Sequence, residues 1–240
     1  MEDEEAVKVW RYMSFGRFVW MLQRRALWLS RVDMLGDPWE MAPSEEQWAG
    51  VLQTARKTAT RQRSEAEIFQ RRKRDVMRWR QQMFVNCWSA CPHESHALWR
   101  IYCLSVEGVA VQTTLARLRE SLQALQVHRV TYADPQSIRE DPQLEQLTAQ
   151  KRPMFAYEQE VRVLLNSGEL AKGLTWEASF GRRRGVMVGW EPETVLESIY
   201  VHPEADDAFF QTVQGTVEQY CPTLKTAVRW SAMQARPLFF

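Results

Sequence analysis

Strand-like and helix-like stretches follow one another irregularly along this chain, and that irregularity predicts an α+β fold. Three observations carry the prediction. Short β-rich runs such as "MFVNCWS" and "SIYVH" read as strands, leucines spaced by three and four in "TTLARLRESLQAL" read as an amphipathic helix, and the two types do not alternate strictly as a parallel α/β sheet requires. The expected architecture is a single α+β domain over residues 1–240. It has a central, split, mixed β-sheet and a basic helical insertion at 44–82.

The elements follow in order. "KVWRYM" predicts a strand, and Ser14 caps a helix that buries Phe15, Phe18, Val19 and Leu22. "ALWLS" predicts a second strand, after which Gly36, Pro38 and Pro43 impose an irregular loop on "DMLGDPWEMAPS". Ser44 with Gln47 three residues on forms a capping box. The helix it starts carries Trp48, Val51, Leu52, Ala55 and Ala59 on one face and runs, with one break, toward Arg80. "MFVNCWS" is a strand. Pro92 then suits a first helical turn, with Leu98, Ile101 and Tyr102 sharing one side of the helix that follows. "GVAV", "VHRVTYA", "YEQEVRVLL", "GVMVGW", "SIYVH" and "TAVRWSA" predict further strands. "TTLARLRESLQAL", "DPQLEQLTAQ" and a segment carrying Phe209, Phe210, Val213 and Val217 predict further helices.

Composition bounds the function. A chain of 240 residues, 45% hydrophobic and 25% charged, can bury a full core. No run approaches the roughly 20 apolar residues of a membrane span. The acidic start "MEDEEAVKVW" is unlike a secretory leader, so a cytoplasmic location is expected, with the four cysteines as thiols. A net charge of +1 argues against a uniformly basic surface, yet Arg56 to Arg80 holds 10 Lys or Arg against 3 Asp or Glu. The 11 tryptophans include several in polar surroundings, where each either roofs a core or walls a pocket.

The stretch "MFAYEQEVRVLLNSG" carries the chemistry. If it is one strand, Tyr157, Gln159, Val161 and Val163 share one side while Glu158, Glu160 and Arg162 share the other. Two carboxylates about 7 Å apart on a rigid scaffold suit one group that stabilises developing positive charge and one that handles a proton. The plain alternative is a solvated strand face on which the arginine relieves carboxylate repulsion.

The pieces "WRYMS", "DPWE", "FVNCWS", "ESHALWRIY" followed by "GVAV", Lys151 with "YEQEVR", and "IYVHP" occur in that order over most of the chain. In these the chain resembles the bacterial DUF2971 family, whose name implies no activity. A further layout is similar to the arginine-serine-glutamate arrangement of ADP-ribosyltransferases: an Arg-bearing first strand, a Ser-bearing middle strand and a late Glu-x-Glu strand. That resemblance implies NAD as substrate and transfer of its glycosyl group to an unknown acceptor, protein or nucleic acid, with no metal and no membrane partner. It also implies a role as a toxin or anti-phage effector. Arg11 would contact the NAD phosphates or the nicotinamide ribose, Ser89 would brace the second glutamate, Glu160 would hold the ribose and stabilise the oxocarbenium ion, and Glu158 would activate the acceptor. Tyr12 stands beside Arg11, leaving open which faces the cleft. Trp99 or Tyr102 would stack on nicotinamide, and Arg162 would join the cofactor site. The middle strand departs from the family pattern in reading Cys87-Trp88-Ser89.

Other motifs carry less. Cys87, Cys91, His93 and His96 lie within ten residues, but a strand and a helix leave little freedom to build a zinc tetrahedron from them. "SFGRRRG" lacks the lysine and spacing of a phosphate loop. The rival class is a non-catalytic nucleic-acid-binding module, in which the basic helix 56–80 grips phosphates through Arg71, Arg72, Lys73 and Arg74, with "RRR" at 182–184 elsewhere.

Overall fold

The fold is α+β with a mixed sheet. A computed structural model describes residues 6–60, 63–123, 125–134, 144–170 and 184–234. In chain order the strands and helices are β1 (Lys8–Ser14), α1 (Phe15–Arg24), β2 (Ala26–Arg31), α2 (Glu45–Thr58), α3 (Glu65–Gln82), β3 (Met83–Ser89), α4 (His96–Tyr102) and β4 (Gly108–Thr114). There follow α5 (Leu115–Ser121), β5 (Gln126–Arg129), β6 (Thr131–Tyr132), α6 (Leu144–Thr148), β7 (Gln150–Lys151), β8 (Glu160–Asn166) and α7 (Ser167–Leu170). Last come β9 (Gly185–Gly189), α8 (Pro192–Val195), β10 (Ser198–Val201), α9 (Asp207–Tyr220) and β11 (Val228–Trp230). The chain divides into two compact units, one of residues 1–28, 87–126 and 187–240, the other of residues 29–86 and 127–186.

In the first unit β4 lies between β1 and β10, antiparallel to both, with Arg11 opposite Val111 and Tyr200 opposite Ala110. β11 runs parallel to β10 and makes the sheet mixed. β1 lies where "KVWRYM" predicts a strand, and it is buried on both faces at Val9, Trp10, Tyr12 and Met13. Trp10 and Tyr12 point into a core of Cys91, Leu98, Trp99, Cys103 and Ala110, roofed by Tyr200. Gly108 is required by close approach there, because a Cβ at this position would stand 2.5 Å from the Cys103 Cβ. α4 begins at His96 rather than at Pro92, because Ser95 accepts a bond from the Leu98 N–H and so fixes the cap. The buried side of α4 is therefore Leu98 and Trp99, while Ile101 and Tyr102 are exposed.

His202 packs edge-on to Trp99 and is 3% exposed. Its Nδ1 accepts a hydrogen bond from the Glu204 N–H, a bond that protonation of Nδ1 would forbid. Burial holds its pKa below the usual histidine value of 6.5. A depressed folded-state value means that stability is complete above pH 6.5 and is lost as the pH falls below it, by at most about 1.4 kcal/mol per pH unit. Urea titrations from pH 7.5 to 5 should show that loss in the wild type and a flatter profile in His202→Gln. Parallel profiles for the two proteins would remove His202 as its source.

In the second unit β3 and β2 pair antiparallel, with Ser30 opposite Val85 and Arg31 opposite Phe84, and β6 and β7 pair in parallel. The predicted long helix is two helices, each with its own capping box: Ser44 with Gln47 on α2, Ser64 with Glu67 on α3. The break falls before Ser64, where a sequence of the form S-E-A-E restarts the helix. α2 buries Val51 and Ala55 as expected, while Ala59 is exposed.

The "YEQEVRVLL" strand starts later than predicted. Pro153–Glu158 is a 3-10 turn that closes on Gln159, held in the left-handed region at φ 42°, and β8 begins only at Glu160. The left-handed residue redirects the chain, so the strict alternation fails at Gln159. Nor is there a solvated charged face, since Glu160 through Leu165 are all buried.

Candidate active site

Five side chains from four segments of the second unit meet below its surface. Glu40 comes from the "DPWE" loop, Lys151 from β7, Glu158 from the end of the 3-10 turn, and Glu160 and Arg162 from one face of β8. Lys151 Nζ stands 2.6 Å from Glu158 Oε2, 2.9 Å from Glu160 Oε2 and 3.2 Å from Glu40 Oε1. Arg162 Nε donates to Glu160 Oε1 at 2.8 Å, its Nη2 to Glu40 Oε2 at 2.7 Å, and its Nη1 to the Thr148 carbonyl at 2.9 Å. Arg162 is 1% exposed, Glu160 3%, Glu40 5% and Glu158 8%.

Burial on this scale is tolerated only where charges are paired and hydrogen-bonded. Burial alone would lower the Lys151 pKa, but Glu160, Glu40 and Glu158 outweigh it and hold the ammonium well above its usual range. Three carboxylates thus converge on one cation. The backbone backs the arrangement: the Glu160 N–H donates to the Tyr132 hydroxyl at 2.7 Å. Burial, reinforced by the charges of Glu160 and Glu158, pushes that phenol up to about 12.

A second layer covers the first. Arg152, next to Lys151 in the chain, donates from Nη2 to both Asp37 oxygens at 3.1 Å. Its guanidinium lies 5.9 Å from the Trp39 ring and 5.4 Å from the Phe155 ring, while Lys151 Nζ is 4.8 Å from Phe155. Trp39, Arg152, Pro153 and Met154 line a cleft of about 510 Å³ together with Ser44, Glu45, Glu46 and Asp134. A cleft of that volume takes a small organic ligand. Trp39, 44% exposed, is its aromatic wall.

The structure therefore brings Glu158, Glu160 and Arg162 into one network. To them it adds Glu40, Lys151, Asp37 and Arg152, which the reading of the strand alone missed. The available signal was the polar "DPWE" stretch and Lys151 just before "YEQEVR". Arg11, Tyr12, Ser89, Trp99 and Tyr102 lie in the first unit. Arg11 donates to the Cys87 carbonyl at 3.1 Å, and burial of its head lowers it to about 10. Tyr12 and Arg11 point to opposite faces of β1. The Tyr12 hydroxyl accepts the Ser95 N–H at 2.8 Å, inside the core. Ser89 is buried, with Oγ 3.3 Å from Cys91 Sγ. Trp99, 1% exposed, donates to Glu94 at 3.0 Å, so that stacking on a ligand would require it to leave the core, whereas Tyr102 is 42% exposed.

Cys87, Cys91, Cys103 and Cys221 are thiols. Among the described residues no group of three or more His, Cys, Asp or Glu is arranged to hold a metal ion, and no helix is long and apolar enough to cross a membrane. No family model matches the chain, and no curated protein or solved structure is significantly similar to it.

Proposed function

We propose that the chain is an NAD-using enzyme that resembles ADP-ribosyltransferases in fold and chemistry, a member of the DUF2971 group acting in the cytoplasm on an unknown acceptor. The observation that supports this best is the cage of Glu40, Glu158 and Glu160 around the Lys151 ammonium. Such a cage is a rigid site built for positive charge. Cleavage of the nicotinamide–ribose bond sends the bonding electron pair to nicotinamide, which leaves neutral, and puts positive charge on the sugar. Fixed carboxylates in a water-poor site stabilise that charge where it develops, without reorganising.

In this reading Glu160, held at both oxygens by Arg162 and Lys151, is the permanent anion beneath the sugar. The ribose takes over hydrogen bonds that Lys151 makes in the free protein. Glu158 lies at the edge of the cage beside exposed Tyr157 and accepts the proton of the attacking acceptor. Trp39 stacks on the face of the nicotinamide ring. Arg11, Ser89 and Tyr102 enter through the family resemblance alone.

Trp39→Ala is the direct test of the cleft. Losing one stacked aromatic contact of about 1–1.5 kcal/mol should raise the KM for NAD roughly tenfold and leave kcat within about twofold, because stacking is shared by ground state and transition state. A kinetic series of nicotinamide release against NAD concentration reads both constants. An unchanged KM would place NAD elsewhere.

A further inference from the structure

The basic helix is independent of the NAD reading, and its geometry differs from what its sequence suggests. Arg71 is paired with Asp75 at 4.0 Å, Arg80 donates to the Pro38 carbonyl at 3.1 Å, and Arg72 is half-buried. On the opposite side from buried Val76 and Trp79, the helix turns Gln70, Lys73, Arg74, Met77, Arg78 and Gln81 to solvent. Their spacing of three and four residues makes them one stripe, about 16 Å long at 1.5 Å per residue.

Lys73, Arg74 and Arg78 are exposed, and among the described residues none makes an ion pair or hydrogen bond with them. The two acids bordering this face are already engaged. Glu67 closes the capping box on the Ser64 N–H at 2.8 Å, which lowers its pKa, and Asp75 faces Arg71. No carboxylate therefore stands on the stripe from Gln70 to Gln81. Exposed cations held on a helix keep their hydration, and they are placed to neutralise an external polyanion by releasing its counterions.

We propose that this stripe of α3 docks on the phosphate backbone of double-stranded nucleic acid, without reading its sequence. The absence of an aromatic ring on the stripe separates this from single-strand binding, in which bases stack on aromatic side chains. Gln70 and Gln81 add neutral donors at its two ends, and Lys73, Arg74 and Arg78 supply the charge. A three-cation contact has a defined signature: log K against log salt falls with a slope of about −3. Affinity therefore drops about 40-fold between 50 and 200 mM salt.

The test uses the full chain and fluorescence anisotropy on four probes: a mixed-sequence duplex DNA, a duplex RNA, and the single strand of each. The proposal expects both duplexes to bind at 50 mM salt with that slope, and single strands to bind more weakly. The triple change Lys73→Glu, Arg74→Glu and Arg78→Glu should abolish the binding. Arg17→Glu, Arg24→Glu and Arg229→Glu together, an equal change in net charge at exposed positions off the stripe, should preserve it. Four results would overturn the proposal: no duplex binding by the wild type at 50 mM salt, equal loss in both triple variants, stronger binding of single strands, or a stripe variant that binds as the wild type does. Thermal melts of both variants identify any loss caused by unfolding. If the stripe variant melts early, Lys73→Gln with Arg78→Gln replaces it, and the slope should then fall to about −1.

Discussion

Arg162→Met is expected to destabilise the protein by about 3–5 kcal/mol, the cost of removing one member of a buried ion cluster and leaving its partners uncompensated. The arginine is 1% exposed and holds Glu160, Glu40 and the Thr148 carbonyl at once. Its loss removes the second cation from Glu160 and Glu40, which then share Lys151 with Glu158, and takes one donor from the Thr148 carbonyl. Urea unfolding followed by tryptophan fluorescence should show a lower midpoint with an unchanged slope, which separates a change in stability from a change in the extent of unfolding. A companion variant with Glu40→Gln added should recover part of the loss, because one of the uncompensated charges is then gone. A loss below about 1 kcal/mol would mean that the cluster is hydrated in solution, as surface ion pairs are.

Glu160→Gln carries the largest expected effect on activity. It keeps the shape and one acceptor oxygen but removes the charge under the sugar, so nicotinamide release should fall by a hundredfold or more. Lys151 and Arg162 retain Glu40, and Lys151 also retains Glu158, so the variant should remain folded. Glu158→Gln should behave otherwise. It should impair transfer to an acceptor while leaving much of the slower hydrolysis by water, since the proton-accepting step belongs to the acceptor. Running both with and without cell lysate as an acceptor source separates the two roles. Equal losses under both conditions would merge them into one.

Periodic elements were legible because periodicity reports one buried face at a time. β1, β3 and α9, with Val213 and Val217 buried, lie where the apolar spacing puts them. The Ser44 capping box was legible because both of its partners are local. What was not legible depends on contacts across the sequence or on backbone geometry without a period. Gln159 reads as an ordinary strand residue, and nothing local announces its positive φ. The burial of β8 on both faces follows from what packs over Glu160 and Arg162, which their own alternation cannot express. Glu40 lies 122 residues from Arg162 and meets it only in the fold. Trp39 and Trp99 both stand in polar stretches, yet one walls a cleft and the other fills a core. Position in the fold, not local composition, distinguishes them.

The central claim is that the carboxylate cage around Lys151 serves the cleavage of NAD. Nicotinamide release from NAD by the wild type and by Glu160→Gln, measured side by side with thermal melts in the presence and absence of NAD, tests it most directly. The account predicts release by the wild type, an NAD-dependent rise in its melting temperature, and at least a hundredfold slower release by a variant that melts normally. A wild type that neither releases nicotinamide nor is stabilised by NAD would contradict it, and would leave Glu40, Lys151, Glu158, Glu160 and Arg162 as a buried ionic staple of the fold.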